Sequence, residues 1–133
     1  MGMTQEKMAE MENGLREMSL MSAEDHLLET VQGDYWERLL FFYSQTRGHV
    51  FFTTGTIAFV GGLGGLNNWS IPYSDIKQVE LCNIGPLIPF FPMGIRIRFL
   101  DKKKGKETAY KLGLLNRKKW LAYLEEKVAA SAS

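Results

Sequence analysis

The chain is poor in residues that build covalent or metal-held scaffolds. It has one cysteine, Cys82, and two histidines, His26 and His49, among 133 residues. An internal disulfide is excluded, and a cysteine-rich zinc site with it. The sequence implies no metal and no cofactor. A lone thiol suits a reducing compartment, so the expected location is cytoplasmic, extending to the periphery of a membrane. Long apolar runs are also scarce. The most apolar stretch, residues 84–94, is too short to span a bilayer as a helix and is broken by Pro86, Pro89 and Pro92. The first thirty residues are acidic and lack the apolar segment of a secretory signal. Against these absences stand 45% hydrophobic and 23% charged residues, which exclude a disordered chain and leave room for one core.

The formal charge of +1 hides a division. Residues 1–40 carry nine acids against three bases, and residues 41–133 carry thirteen bases against six acids. An acidic leader beside a basic body is either a solvated tail or an intramolecular pseudo-ligand, and the tail is the preferred reading. Met8, Met11, Leu15 and Met18 recur at helical spacing. Ser22 is placed to cap a second short helix through Leu27, Leu28 and Val31. Residues 1–34 are therefore assigned to a Met-rich, acidic leader, partly helical or disordered.

From Tyr35 the texture becomes β-rich. Residues 39–43, Leu-Leu-Phe-Phe-Tyr, are read as a buried strand on aromatic content. Residues 49–54 and 56–60 form a hairpin hinged at Gly55, a residue suited to positive φ in a turn. Residues 61–68 are a glycine-rich loop. Strands follow over 69–73, 76–83, 93–101 and 107–112, with Ile95, Ile97 and Phe99 facing inward and Arg96 and Arg98 outward. The arginines are read as edge protection. Asn116 opens a last helix whose buried stripe is Trp120, Leu121, Leu124 and Val128. The domain is assigned to 35–128 and a disordered tail to 129–133. The pattern predicts a mainly β fold with a C-terminal helix: a seven-stranded antiparallel sandwich or partly open barrel, capped by that helix.

Gly48-His49-Val50-Phe51-Phe52-Thr53-Thr54-Gly55-Thr56-Ile57-Ala58-Phe59, then Ile71-Pro72-Tyr73-Ser74-Asp75-Ile76-Lys77-Gln78-Val79, then a basic residue before Trp120, resemble the GRAM branch of the pleckstrin-homology superfold. The resemblance covers residues 37–128. A lone module of this kind, without an attached enzyme, suggests a small bacterial protein. The resemblance implies a non-catalytic binding module, with the loops after the first, third and sixth strands gathered at one end. Those loops would be 45–48, 61–68 and 101–106, and the Pro-rich segment would leave the opposite end.

No catalytic constellation is evident. The run Gly61-Gly62-Leu63-Gly64-Gly65-Leu66-Asn67-Asn68 is not followed by the helix a phosphate cradle needs, and is read as a hairpin connection. Cys82 lies between apolar neighbours and is read as an inert thiol. Asp75 follows a strand and is given a structural role in an Asx-turn. Lys102, Lys103, Lys104 and Lys106 form either a solubilising turn or a site for acidic lipid headgroups, joined by Arg47 and His49. Leu87, Ile88, Phe90 and Phe91 are either core or a surface for a protein partner or a second copy of the chain. Nucleic acid is not expected, because the pI is about 7.8 and no recognition motif is present. The two functions carried forward are docking on acidic lipid headgroups or a partner through loops at one barrel end, and pure protein assembly through 84–94 or the N-terminal helix.

Overall fold

The structure is a computed structural model that describes residues 4–62 and 67–132. Helix α1 (Gln5–Glu17) precedes strands β1 (Leu27–Arg38), β2 (Tyr43–Thr53), β3 (Thr56–Gly61), β4 (Asn67–Pro72), β5 (Ile76–Ile84), β6 (Phe91–Asp101) and β7 (Lys106–Gly113), and helix α2 (Arg117–Ser131) ends the chain. The centre of the glycine-rich loop, 63–66, lies outside the described residues.

The strands form one antiparallel sheet in the order β4-β3-β2-β1-β7-β6-β5. Its two edges, β4 and β5, are joined in the chain only by the 3-10 turn Tyr73–Asp75. A sheet whose opposite edges are three residues apart must curl almost shut, so the expected partly open barrel is the architecture found. Pro72 sits at the end of edge strand β4, where its missing N–H leaves no ladder bond unmade.

Every strand contributes to one core. Tyr35, Phe59, Trp69, Phe99 and Tyr110 pack at centroid distances of 4.9–5.8 Å, edge-on or tilted except for the stacked pair Phe59 and Trp69. Helix α2 closes the barrel, with Trp120 stacked on Phe52 at 5.4 Å and Leu124 fully buried. The predicted stripe of α2 and the alternation of β6 are both as expected. Asn116 does start α2, but in a left-handed conformation and without a side-chain cap bond.

A row of glycines crosses the sheet where it is most crowded. Gly33 pairs with Gly48, and Gly48 with Gly61. A Cβ on Gly48 would run into the Val60 carbonyl oxygen and lie 2.7 Å from the Gly61 Cα. Gly55, by contrast, is not in the positive-φ region expected of it. Its lack of a side chain makes room for the Asp25 carboxylate, which would lie 2.6 Å from a Cβ there. Thr53 fixes that turn, accepting from the amides of Gly55 (3.2 Å) and Thr56 (2.9 Å).

Several expectations are corrected. Residues 27–33 are the first half of β1, not a helix capped at Ser22, and the barrel begins at Leu27 rather than Tyr35. Apolar residues at 27, 28 and 31 have helical spacing, and the pairing with β2 overrides it. The leader is not a solvated tail. Leu15, Leu20 and Met21 bury against Leu27, Phe51 and Ala58 on the outer face of the sheet. The Glu12 carboxylate accepts from the Leu27 amide at 2.8 Å, and Arg16 donates to the Asp25 carbonyl at 2.9 Å. Residues 39–42 are not a buried strand but the exposed tip between β1 and β2. β6 is an interior strand, so Arg96 and Arg98 do not protect an edge; both reach Glu80 of β5, at 3.6 and 3.1 Å. Residues 129–131 continue α2 instead of forming a tail.

Two predictions follow from the packing. Gly48→Ala should lower stability by about 3 kcal/mol, because the obstruction is backbone and cannot rotate away; urea denaturation measures it, and an unchanged midpoint refutes the account. Burial pushes the phenols of Tyr35 and Tyr73 well above their ordinary 10.0, and the Tyr73 hydroxyl donates to the Thr53 carbonyl at 2.8 Å. Unfolded, both ionise near pH 10; folded, they keep their protons. Urea midpoints should therefore hold level up to about pH 10 and fall beyond it.

Candidate functional site

The lysine turn is built as a tight connection. Asp101 accepts from the amides of Lys103 and Lys104 at 3.0 and 3.2 Å, and Gly105 takes the positive φ of 66° that the turn demands. Lys102 lies 3.1 Å from the Asp75 carboxylate, which is itself buried. Asp75 is structural, as expected, but through this ion pair rather than an Asx-turn. Lys103, Lys104 and Lys106 are exposed.

Arg47 and His49 do not join this turn. Both lie within β2, on its exposed outer face, because the first hairpin turns at 39–42 and not at 45–48. Arg47 pairs with Asp34, Asp34 with Gly113, and Gly113 with Gly94. The lysine turn closes β6 and β7 at Asp101 and Lys106, seven residues further along each strand. At about 3.3 Å per residue, the Arg47 row and the lysine turn stand roughly 23 Å apart along β7. The predicted cationic cluster is therefore divided. His49 neighbours Phe51, with ring centroids 6.4 Å apart.

What the barrel does gather is apolar. The β1–β2 tip and the β5–β6 loop meet: the Tyr43 amide donates to the Pro86 carbonyl at 2.7 Å, and the Leu39 amide to the Phe42 carbonyl at 2.8 Å. Leu40 and Phe41 are each 87% exposed, Leu87 73%, Ile88 70% and Phe90 63%. Phe90 and Phe91 stack at 4.4 Å. Among the described residues thirteen large hydrophobics are exposed, and ten of them belong to this end, Met93 and Leu115 included. Such clustering distinguishes a surface feature from the scattered apolar exposure of any protein. Leu87, Ile88, Phe90 and Phe91 thus resolve as surface, not core.

Under the tips, on the outer face, Trp36, Tyr43, Cys82 and Ile84 form a small cluster. Burial raises the Cys82 thiol pKa, as befits an inert residue. A hollow of about 410 Å³ beside it is lined by Trp36, Arg47, Ile84, Phe91, Met93 and Leu115, among others. The buried Trp36 indole N–H has no acceptor among the described residues.

Basic groups ring this end. Arg38 flanks the β1–β2 tip. Lys111 lies over the Tyr43 ring at 4.5 Å. Arg117, Lys118 and Lys119, in the first turn of α2, share a surface depression with Pro92, Met93 and Leu115. Arg117 donates to the carbonyls of Cys82 (2.9 Å) and Gly94 (3.5 Å), which fixes α2 beside the loop. Across residues 34–47, 82–95 and 111–119 there are six bases against two acids, Asp34 and Glu37. Sequence reasoning missed Leu39, Leu40, Phe41 and Phe42 as surface, and the nearness of Arg117–Lys119 to the Pro-rich loop. No Gly, Pro, Asn or Asp marks the 39–42 turn, so the usual signal was missing.

Among the described residues no group of three or more His, Cys, Asp or Glu is placed to hold a metal, and no helix is long and apolar enough to cross a membrane. No family model matches the chain. No curated protein matches it either. Among solved structures, the chain is similar to the C-terminal domain of an unknown protein from Leishmania infantum. That likeness has a TM-score of 0.62 and 15% identity, over 91% of this chain and 96% of that one. It concerns the fold.

If the tips serve contact and not folding, Leu40→Ser with Phe41→Ser should leave the thermal midpoint within about 2 °C of wild type, since neither side chain is withdrawn from water. A loss of several degrees by calorimetry would instead make the tip part of the core.

Proposed function

We propose that this protein is a non-catalytic docking module of the pleckstrin-homology or GRAM type, contacting acidic lipid headgroups or a protein partner through the loops at one end of its barrel. The observation that carries this reading is the joining of the two apolar tips. Four consecutive large side chains at 39–42 and four more at 87, 88, 90 and 91 stand in water beside one another. Each costs the free protein solvation and adds nothing to its core, so a partner surface is the natural destination. A barrel closed by α2 and filled by aromatic rings leaves its interior no role in binding, and the function falls to the loops.

The apolar tips replace the lysine turn as the favoured contact. The turn has the hydrogen bonds of an ordinary hairpin connection, and Lys102 is engaged by Asp75. Any binding through it would be electrostatic and would fade with salt. Binding through the tips would persist.

Flotation with phosphoinositide-containing liposomes and sedimentation velocity of the chain alone test this together. Association in one of them, lost when Leu40, Phe41, Ile88 and Phe90 are all changed to Ser, is the expected result. A chain that stays monomeric and ignores liposomes, or one whose association survives that change, counts against the proposal.

A further inference from the structure

We infer that the joined β1–β2 and β5–β6 tips insert into the boundary of an anionic lipid bilayer, with the basic residues around them at headgroup level. This rests on the docking reading above and commits it to one target.

Three observations select a bilayer. The first is composition. The tips consist of Leu, Ile, Phe, Pro and Gly, with no side-chain donor or acceptor from 39 to 42 or from 84 to 92. Protein interfaces favour Tyr, Trp and Arg at their centres, where hydrogen bonds accompany burial. Side chains offering dispersion alone suit a medium that offers nothing else. The second is charge. Arg38, Lys111, Arg117, Lys118 and Lys119 stand behind the tips, within an excess of six bases over two acids. Each such base beside an acidic leaflet strengthens attachment about fivefold. The same collar opposes a second copy of the chain, because a twofold contact of these ends would bring like charges together. The third is the brace between the loops. The Tyr43-to-Pro86 backbone bond of 2.7 Å makes one projection of two hairpins, so insertion does not require either loop to be ordered first.

This orientation is specific. The lysine turn lies at the Asp101 end of β6 and the β5–β6 tip at its Phe91 end, so the turn contributes nothing to attachment.

The test uses the full chain and vesicles of phosphatidylcholine with and without phosphatidylserine. Wild type should float with the phosphatidylserine vesicles, bind pure phosphatidylcholine more weakly, and retain part of its binding in high salt. Phe41→Ser with Phe90→Ser should lower partitioning by at least about tenfold. Lys118→Gln with Lys119→Gln should lower it only on the anionic vesicles. Lys102→Gln with Lys103→Gln and Lys104→Gln should leave it unchanged. The emission of Phe41→Trp should shift to the blue on vesicle addition. Absent vesicle binding, binding lost with the lysine-turn change but not with the tip change, or an unshifted Phe41→Trp overturns the bilayer assignment. If the chain ignores vesicles but self-associates through the tips, the bilayer is wrong and docking stands. If it does neither, both fall.

Discussion

The whole structure depends on one demand: seven strands must share a single inner core although the sheet's two edges are never bonded to each other. The aromatic cluster of Tyr35, Phe59, Trp69, Phe99 and Tyr110 meets that demand by filling the interior from both halves of the sheet. The glycine row of Gly33, Gly48 and Gly61 lets the backbones approach where side chains would collide. Trp120 then stacks on Phe52 and excludes water from the end of the barrel. Once the interior is occupied in this way, binding has only the rims and faces available to it.

The rims are unequal. One carries a short turn whose lysines are arranged by Asp101 and Asp75. The other carries two hairpin tips whose large side chains stand exposed. Hydrophobic surface held in water is costly at about 25 cal/mol per Å², so a fold that keeps it in one place is poised for association. The two rims are separated by the length of β6 and β7, which keeps their chemistries apart.

Much of this was legible in the sequence. The alternation of Ile95, Ile97 and Phe99 and the stripe of Trp120 and Leu124 reported burial directly, because each belongs to an element with one wetter face. Legibility failed where that condition failed. Leu39 to Phe42 are apolar without alternating, and an apolar run looks the same whether it faces a core or an external surface. Leu27, Leu28 and Val31 have helical spacing, with Leu28 out of phase for an alternating strand, and only the pairing with β2 overrides it. The division of Arg47 from the lysine turn followed from that same error. A first strand placed twelve residues too late, at 39–43 instead of from Leu27, moved the first loop onto the interior of β2.

Strand β2 has a further property that reaches beyond the site. Val50 and Phe52 face the barrel interior while Phe51, between them, is covered by α1 and the segment after it, so this stretch is dry on both sides. The two clusters share no residue. Detaching the N-terminal segment would wet Leu15, Leu20, Met21 and the patch around Phe51, and leave the interior sealed by α2. The molecule accordingly has two tiers of cooperativity: amide protons of α1 exchange through a shallow local opening, and those of β2, β6 and β7 only when the barrel itself comes apart.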